Sequence, residues 1–479
     1  MSRRYDLVVV GGGTAGLVSA MIAAGIGARV ALIERERTGG DCLWTGCVPS
    51  KTLLAAASLA QAMRRADRVG LTPVTPEIDF AALMKHVRDT IAAIEPQDSP
   101  ARLRERGVEV IEAGGRFLGP GRIAAGERTL DWLSAIIATG SRPRLPDVPG
   151  LARVSPLTSD TVWDLGELPA RLTVLGGGAI GCELAQAFAR LGARVTLVEV
   201  AERLLPAEEP EAGTRLAAQL REEGISVRCG TRALAVAPTG DGPAGELKLD
   251  DGAGRVGFDR ILVATGREPR TDGLGLDTVG VQRDARGAVV VDERLRTTGR
   301  RIFAAGDVTG LLPFTHVAAH HARVATPNAL FHTRTRVSGT IPRVTFTDPE
   351  VARVGLSEAQ ARERWGTTAQ VARFDYTHLD RAITEGRTSG FVKLIGDRRG
   401  RLVGATIAAP GAGEAIAELT AWIRQGAAID AISQTVHAYP TLAEGPARAA
   451  DERLSARFST PGVRRVARVG LGLLRVLTR

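Results

Sequence analysis

The chain has 479 residues, of which 44% are hydrophobic and 24% charged, so it is long enough for about three globular domains of ordinary composition. Its formal net charge is +9, but the basic residues are scattered along the chain, which disfavours a nucleic-acid-binding face and predicts no nucleic-acid partner. No stretch approaches the roughly 18 apolar residues of a membrane span, and four cysteines are too few for a disulfide scaffold.

The first elements predict a dinucleotide-binding fold. An apolar strand leads into Gly11-Gly-Gly-Thr-Ala-Gly16, then an Ala-rich helix, then a second strand that closes at Glu34. In this motif Gly11 permits the tight turn, Gly13 lets a pyrophosphate approach the backbone, and Gly16 lets the helix pack on the strand. The helix N-terminus offers free N–H groups to the anion, and Glu34 offers a carboxylate to the ribose.

The next segment carries two cysteines five residues apart, Cys42 and Cys47. The Pro at position 49 predicts that a helix begins near Cys47, where the helix N-terminus lowers the pKa of the thiol. Zinc usually takes four ligands in paired clusters, and no second Cys or His group accompanies this pair. We therefore predict a redox-active pair and no resident metal site, and we interpret Cys182 and Cys229 as small buried residues.

A second strand–turn–helix–strand pattern contains Gly176, Gly178 and Gly181, and its second strand closes at Glu199. Two such folds in one chain predict two dinucleotides, the arrangement that juxtaposes a flavin and a nicotinamide. A carboxylate at Glu199 hydrogen-bonds a ribose 2′-hydroxyl but repels a 2′-phosphate, which favours NADH. Arg203 lies close enough in sequence to keep NADPH open.

The remaining patterns complete an α/β chain with a third, α+β domain. Further predicted strands lie at 108–112, 134–137, 343–346, 392–395 and 402–407, and predicted helices at 413–425 and 442–457. A Pro-rich linker is predicted at 142–149, and strands followed by helices are typical of an α+β interface domain. The predicted segments are a flavin-binding domain at 1–150 with a helical insertion at 52–105, a nicotinamide-binding domain at 151–270, a return to the first domain at 271–340, the α+β domain at 341–460 and a basic tail at 461–479.

The spacing Cys42-x4-Cys47 followed by Val-Pro-Ser-Lys51 resembles the class I pyridine nucleotide–disulfide oxidoreductases, the family of dihydrolipoamide dehydrogenase, glutathione reductase and mercuric reductase. The resemblance covers essentially the whole chain. Its other motifs are Ala138-Thr-Gly140, Ala264-Thr-Gly-Arg267, Ala305-Gly-Asp307 and Phe346-Thr-Asp-Pro-Glu-Val351. It implies two Rossmann-like domains for FAD and NAD(P), a dimerisation domain, a homodimer and a redox-active disulfide.

The resemblance also implies roles for individual residues. Cys47 would face the flavin, Cys42 would exchange with substrate, and Lys51 would lie near flavin N5 and pair with Glu183. Such a cation favours the reduced flavin anion, and the carboxylate keeps the ammonium charged and oriented. Glu444 would be offered across the dimer. The residues predicted or implied to bind cofactors are Gly11, Gly13, Gly16, Glu34, Asp41, Lys51, Gly115, Thr139, Gly140, Gly176, Gly178, Gly181, Glu199, Gly266, Asp307 and Thr315.

The chain departs from the family at the acid–base position. Thiol-reducing members place His immediately before Pro-Thr, whereas this sequence has Tyr439, with Glu444 five residues later and His437 two residues upstream. A phenol titrates near pH 10 and accepts a thiol proton poorly, which disfavours lipoamide or glutathione as substrate. Mercuric reductases share this Tyr, and reduction of thiolate-bound Hg(II) needs soft ligands rather than a base. His437 is interpreted as a supporting or core residue rather than as a substitute base, and both interpretations stay open.

We therefore predict an FAD-dependent NAD(P)H oxidoreductase, most like mercuric reductase, with a small-molecule or metal-ion acceptor. The sequence lacks the further Cys-Cys pair that mercuric reductases use to pass metal to the active site, so other functions stay open. These are a dihydrolipoamide dehydrogenase with an altered base, a membrane-associated NADH–quinone reductase, and a flavin-bearing redox sensor that does not turn over.

The tail is the segment that the resemblance does not explain. At helical spacing its basic residues share one arc and its apolar residues the opposite one, without an acid between them. The two sets are Arg464, Arg465, Arg468, Arg475 and Arg479, and Val463, Val466, Val469, Leu473, Leu474 and Leu477. This pattern is typical of a helix drawn to anionic lipid, so peripheral membrane contact and docking on the dimer both stay open. We expect a cytoplasmic location because a strand follows Met1 too soon for a signal peptide.

Overall fold

The computed structural model describes residues 4–252 and 254–478. The backbone divides into two compact units. The first unit comprises the residues up to Ala60 together with Glu77–Val200 and Gly230–Ser338, and the second comprises Gln61–Pro76, Ala201–Cys229 and the residues from Gly339 onward.

The strands and helices follow one another along the whole chain. The strands are β1 (Tyr5–Val10), β2 (Val30–Glu34), β3 (Val108–Glu112), β4 (Gly115–Gly119), β5 (Arg122–Ala125), β6 (Arg128–Ile137), β7 (Ser141–Pro143), β8 (Arg171–Leu175), β9 (Arg194–Val198), β10 (Ser226–Arg228), β11 (Ala233–Pro238), β12 (Gly245–Leu249), β13 (Arg255–Phe258), β14 (Arg260–Val263), β15 (Arg267–Pro269), β16 (Ile302–Ala304), β17 (Arg343–Thr345), β18 (Glu350–Gly355), β19 (Gln370–Asp375), β20 (Phe391–Gly396) and β21 (Leu402–Ala409). The helices are α1 (Thr14–Gly25), α2 (Gly40–Trp44), α3 (Cys47–Arg64), α4 (Phe80–Ile94), α5 (Pro100–Glu105), α6 (Ala179–Leu191), α7 (Pro210–Glu222), α8 (Thr315–Phe331), α9 (Glu358–Trp365), α10 (Asp380–Thr384), α11 (Ala412–Gln425), α12 (Ile429–Ser433), α13 (Glu444–Phe458) and α14 (Pro461–Leu477).

The first sheet of unit 1 is a parallel sheet with an antiparallel extension. Strands β3, β2, β1 and β6 lie side by side in parallel, β16 pairs with the far edge of β6, and β5 and β4 continue from β6 in antiparallel order. Leu7, Val8 and Val9 are fully buried, as expected for a parallel strand covered on both faces. β1 ends in register with Ile33 and Ile137, so the loops after these strands meet at the carboxyl edge of the sheet, where α/β proteins bind ligands.

The second dinucleotide-like fold of unit 1 is built from β8 in parallel with β9 and β14, with α6 following β8. A separate antiparallel sheet contains β11, β12 and β13. The predicted linker at 142–149 is wrong at its start, because Arg142 and Pro143 belong to β7. That strand pairs antiparallel with β15, which supplies the backbone partners that a free linker would lack.

Unit 2 contains an antiparallel sheet in the order β17, β18, β21, β20, β19, with α11 and α13 packed against it. The predicted strands and helices of this region are confirmed to within about two residues at each end. The segment Ala201–Cys229 is part of this compact unit. Two buried ion pairs tie it to the sheet, since Arg353 contacts Glu208 at 2.8 Å and Lys393 contacts Glu209 at 3.3 Å. The domain bounds at 151–270 and 341–460 stay predictions.

The predicted amphipathic tail is a helix, α14, over Pro461–Leu477, and none of its residues is buried. Its apolar side chains are exposed along with its arginines, with Val466 74% and Leu477 80% exposed. Arg479, which we assigned to the basic arc, lies outside the described residues. Across residues 4–252 and 254–478, no helix is both long enough and apolar enough to cross a membrane.

Candidate redox site and dinucleotide-binding turns

The first glycine turn uses its three glycines differently. Gly11 has φ +106°, and a Cβ there would overlap the carbonyl oxygen of Ala138. A Cβ at Gly16 would overlap the carbonyl oxygen of Gly11, so both glycines are required by the fold itself. Gly13 has an ordinary φ of −77°, and its Cβ would lie 3.7 Å from the nearest protein atom, the Cα of Gly40. The protein leaves Gly13 free for a ligand to approach.

The second turn repeats this division. A Cβ at Gly176 would overlap the carbonyl oxygen of Ala264, and one at Gly181 would overlap that of Gly176. A Cβ at Gly178 would have no protein atom within 4 Å. Gly13 and Gly178 are the N-caps of α1 and α6, and neither helix has a side-chain cap for its first N–H groups. The geometry therefore fits two phosphate-bearing ligands at helix N-termini.

The acids that close the second strands hold these turns. Glu34 accepts the N–H of Gly12 at 2.5 Å through Oε2, and Glu199 accepts the N–H of Gly177 at 2.5 Å in the same way. Glu34 also accepts the N–H of Glu36 at 2.7 Å. Because a carboxylate has about four acceptor positions, Glu34 can accept a ribose hydroxyl beside these two contacts. Glu199 is 8% exposed, so a second negative charge placed beside it would be poorly screened.

The loop between the two cysteines is held by indole hydrogen bonds. Trp44 donates its ring N–H to the carbonyl oxygen of Thr38 at 2.7 Å, and Trp163 donates to that of Thr45 at 2.8 Å. The segment just before Cys42 packs on the first glycine turn, since a Cβ at Gly40 would lie 2.6 Å from the Cα of Gly13. The backbone leading to Cys42 and the first glycine turn are therefore in direct contact.

Cys42 and Cys47 are both free thiols and share a hydrogen bond. That hydrogen bond is the main cause of the lowered pKa of Cys47, which is about 6; the Thr315 hydroxyl and the Lys51 ammonium also contribute, and desolvation opposes them. The pKa of Cys42 is raised, because its proton is shared with the Cys47 sulfur and because its half-buried position desolvates the thiolate. Thr315 begins α8 and its Oγ1 lies 3.2 Å from the Cys47 Sγ. As predicted, a helix starts at Cys47.

The implied pair of Lys51 and Glu183 is present in the structure. Lys51 Nζ lies 2.8 Å from Glu183 Oε2, with side chains 37% and 7% exposed. The neighbouring Cys182 is fully buried and donates to the carbonyl oxygen of Gly177 at 3.3 Å, as its predicted core role requires. Cys229 is half-buried, so its interpretation as a buried residue is wrong.

Arg267 organises the surroundings of Asp41 and was not assigned from the sequence beyond its motif. Its guanidinium is hydrogen-bonded to Asp41 and donates to the Ser141 hydroxyl at 2.8 Å. Burial raises the pKa of Asp41, and the Arg267 charge opposes that rise. Ser141 in turn donates to Asp307 at 2.7 Å. No sequence signal could have linked these residues, because 100 or more positions separate most of them.

The other residues predicted to line the cofactor sites differ in how many contacts they make within the protein. Thr139 donates its hydroxyl to the carbonyl oxygen of Arg270 at 2.6 Å, so this side chain already has a protein partner. A Cβ at Gly115 would lie 2.9 Å from a Val10 methyl, which makes that glycine a packing requirement. Gly140 and Gly266 have φ of +70° and +133° with open space around them.

The predicted acid–base residues lie in unit 2. Tyr439 is 65% exposed and donates its hydroxyl to Asp380 at 2.8 Å, and this hydrogen bond raises the pKa of the phenol. His437 does not share that contact; its Nε2 lies 3.1 Å from Glu418. Glu444 is buried and accepts the N–H of Thr441 at 3.1 Å. Tyr439 is thus kept protonated, and Asp380, for which the sequence carries no signal, is its partner.

Comparison with known families matches two profiles to the chain. The profile "Pyridine nucleotide-disulphide oxidoreductase" matches residues 5–322, and its dimerisation-domain profile matches residues 341–450. The second match supports a homodimer. Neither profile reaches α14.

Three individual proteins show the same likeness over nearly the whole chain. A mercuric reductase from Streptomyces lividans is 41% identical over 448 residues, covering 92% of this chain and 94% of that protein. A dihydrolipoyl dehydrogenase from Thermus scotoductus is 37% identical over 464 residues, covering 94% and 97%. The HOCl-induced flavoprotein disulfide reductase RclA from Escherichia coli, solved as a Cu(II) complex, is 28% identical with a TM-score of 0.82, covering 92% and 98%.

Proposed function

The chain belongs to the pyridine nucleotide–disulphide oxidoreductases, and we propose that within this family it is a mercuric-reductase-like enzyme that passes electrons from NADH to Cys42 and Cys47 and then to a thiophilic metal ion. The observation that carries the proposal is the geometry around the two thiols: Cys47 begins α3, and its Sγ lies 3.2 Å from the Thr315 hydroxyl. The interaction between the two sulfurs lowers the pKa of Cys47 and raises that of Cys42. Such a pair combines a stable thiolate with a second sulfur for exchange.

FAD and NAD(P)H are typical cofactors of this family. When bound, FAD accepts hydride from the nicotinamide and delivers two electrons to a disulfide. We assign Gly13 and the N-terminus of α1 to its pyrophosphate, Glu34 to its ribose and Asp307 to its ribityl chain. The open approach at Gly13 and the uncapped α1 support this assignment.

Lys51 and Glu183 act as one charged unit in this proposal. The ammonium lowers the pKa of Cys47 and remains oriented by the buried carboxylate at 2.8 Å. A positive charge at this point stabilises the negative charge that reduction brings to the site. Thr315 adds a hydroxyl at 3.2 Å from the Cys47 sulfur, so the thiolate has both a cation and a hydrogen-bond donor.

We assign the nicotinamide dinucleotide to the second turn and favour NADH over NADPH. Glu199 is buried, with one oxygen on the turn N–H of Gly177. Its carboxylate suits the 2′-hydroxyl of NADH as a hydrogen-bond acceptor, whereas the 2′-phosphate of NADPH would meet a negative charge in a poorly solvated place.

The acceptor is assigned to the class of thiophilic metal ions. Two adjacent sulfurs bind Hg(II) or Cu(I) strongly, and the overall reaction with mercury balances as Hg(II) plus NADH giving Hg(0), NAD⁺ and H⁺. A metal bound by thiolates needs no base to remove a substrate proton, which agrees with a protonated Tyr439. The Streptomyces relative is named for mercury, and RclA was solved with Cu(II).

The test is anaerobic NADH oxidation by the purified dimer with Hg(II), Cu(II), lipoamide and a quinone as separate acceptors. We expect turnover with a metal ion that is lost in both Cys42→Ser and Cys47→Ser. The Cys229→Ser variant is the matched control and should turn over normally. Metal-independent activity, or activity that survives both active-site substitutions, would refute the proposal.

A dihydrolipoamide dehydrogenase is the second candidate, because the Thermus relative is 37% identical over almost all of both chains. It predicts lipoamide turnover by the wild-type protein. Under our proposal that turnover is low and rises in Tyr439→His, since imidazole accepts a thiol proton near neutral pH. If the wild type and Tyr439→His turned over lipoamide at the same rate, the phenol at position 439 would not limit this reaction. That outcome would contradict our interpretation of Tyr439.

We also propose that the basic tail contacts anionic membranes. Helix α14 is unburied along its length and combines four described arginines with an apolar face. Each arginine near an anionic surface contributes about 1 kcal/mol, and the apolar face adds burial in the interface. The protein should co-sediment with phosphatidylglycerol vesicles but not with phosphatidylcholine vesicles, and a chain ending at residue 460 should lose this. Equal sedimentation of both chains would refute lipid contact, and a shift from dimer to monomer on truncation would identify docking on the dimer instead.

A further inference from the structure

Helix α8 contacts the proposed flavin site at two levels. Its first residue, Thr315, meets the Cys47 thiol at 3.2 Å. Six positions later His321 is 3% exposed, and its Nδ1 accepts the backbone N–H of Gly306 at 3.2 Å. Gly306 lies two residues after the end of β16 and directly before Asp307. One helix therefore supports both the thiol and the loop that carries Asp307.

The Gly306 peptide is buried and has little freedom to take another partner. Its φ is +79°, and a Cβ there would press on Ala15 at 3.3 Å and Ala318 at 3.4 Å. Its carbonyl oxygen accepts the hydroxyl of Thr309 at 2.7 Å. The two sides of this residue are thus hydrogen-bonded to different elements, and the N–H side depends on His321.

Only a neutral imidazole with its proton on Nε2 can accept at Nδ1. Burial, together with the nearby His320, lowers the pKa of His321 to about 4, so the ring stays neutral at physiological pH. His320 accepts the N–H of Ser338 at 2.9 Å instead. The two adjacent histidines therefore make the same kind of bond to different parts of the chain.

We propose that His321 is a positioning residue for the flavin site, where its Nδ1 fixes the Gly306 peptide and thereby the direction of Asp307. The inference rests on the proposed assignment of Asp307 to FAD. Asp307 also accepts the Ser141 hydroxyl at 2.7 Å, so its carboxylate is set from both ends, through its backbone and through its side chain. A loop fixed in this way needs no rearrangement to receive a ligand.

The test compares FAD dissociation constants of reconstituted dimers. His321→Leu removes the acceptor at similar volume and should weaken FAD binding about tenfold or more, the usual consequence of an unpaired buried N–H. His321→Asn places an amide oxygen where Nδ1 was and should recover most of the affinity. His320→Leu is the matched control and should bind FAD as the wild type does.

The variants separate positioning from a general loss of stability. Wild-type affinity in His321→Leu, equal weakening in the Asn and Leu variants, or equal weakening in His320→Leu would each overturn the inference. Should His321→Leu not fold, His321→Ala provides the second removal of the acceptor under the same criteria. A wild-type protein that binds no FAD would instead refute the proposed function, so the two failures are distinguishable.

Discussion

The ammonium of Lys51 lies 2.8 Å from the carboxylate of Glu183, and this contact joins α3, which begins with Cys47, to α6, which follows the second glycine turn. The Glu183 side chain is 7% exposed, whereas the Lys51 side chain is 37% exposed. The buried partner therefore fixes the position of the more open one. The pair connects the proposed redox centre to the proposed nicotinamide-binding fold through one charge-assisted hydrogen bond.

Glu183→Gln should slow reduction of the bound flavin by NADH about tenfold, because it weakens a charge-assisted hydrogen bond that orients Lys51. The unfolding free energy should fall by only about 1 kcal/mol, since Lys51 is partly solvated. Stopped-flow absorbance at the flavin band measures the rate. Glu222→Gln, which removes an exposed partner of Arg65, is the control and should change neither quantity. An unchanged rate in Glu183→Gln would show that the pair is only structural.

Gly178→Ala and Gly181→Ala should fail in different ways. A methyl at Gly178 meets no protein atom within 4 Å, so the protein should fold normally while the KM for NADH rises about tenfold or more. A methyl at Gly181 overlaps the Gly176 carbonyl oxygen, and the resulting overpacking should lower stability by about 1–3 kcal/mol or more. Thermal unfolding and steady-state kinetics separate the two. Normal NADH binding by Gly178→Ala would place the nicotinamide dinucleotide elsewhere.

Alkylation of Cys47 in the reduced protein should follow a midpoint near pH 6, because the thiolate accepts a hydrogen bond from Cys42 and faces Thr315 and Lys51. Cys42→Ala removes the largest of these contributions and should move the midpoint upward, while Cys42→Ser, which keeps a donor, should move it less. Mass spectrometry of the alkylated peptide against pH measures the midpoint. A midpoint above pH 8 in the wild type would contradict this account.

The same pKa predicts the direction of the pH dependence of stability. The pKa of Cys47 is lower in the folded protein than the ordinary thiol value of about 8.5. Its contribution to the unfolding free energy is therefore fully present above that value and is lost as the pH falls through about 6. The difference between wild type and Cys47→Ser in urea unfolding should shrink over that range. If this difference in unfolding free energy grew on acidification, the folded-state pKa of Cys47 would be raised rather than lowered. That result would contradict a Cys47 thiolate.

Glu199→Gln should relax the preference for NADH. Glutamine keeps an acceptor for the Gly177 N–H but removes the charge that opposes a 2′-phosphate. The ratio of kcat/KM for NADPH to that for NADH should rise about tenfold, and most of the change should appear in the KM for NADPH. A wild-type enzyme that already prefers NADPH would show that Glu199 does not select the ribose 2′-hydroxyl over the 2′-phosphate.

The parts of the site that the sequence predicted are those with local periodicity. The glycine turns, the helix that starts at Cys47 and the strands at 108–112 and 134–137 follow from neighbouring residues, and the structure has them. Contacts between distant segments gave no such signal. The bond of His321 to Gly306, that of Tyr439 to Asp380 and the bonds of Arg267 depend on how the chain returns to the same place.

The buried ion pairs of unit 2 were missed for the same reason. Arg353 contacts Glu208 and Lys393 contacts Glu209, and all four side chains are at most 10% exposed. Acids just before a helix are ordinarily interpreted as part of a solvated surface. Here they pair with strand residues more than 100 positions away, which no local pattern predicts.

Thiol labelling after an anaerobic titration tests the central claim most directly. The oxidised holoprotein receives one equivalent of NADH per subunit, and the cysteines are then alkylated and identified by mass spectrometry. The account predicts that Cys42 and Cys47 are unlabelled before NADH and are both labelled after it, with Cys182 and Cys229 unchanged. NADH that bleaches the flavin, or is consumed, while the labelling of Cys42 and Cys47 stays the same would contradict it.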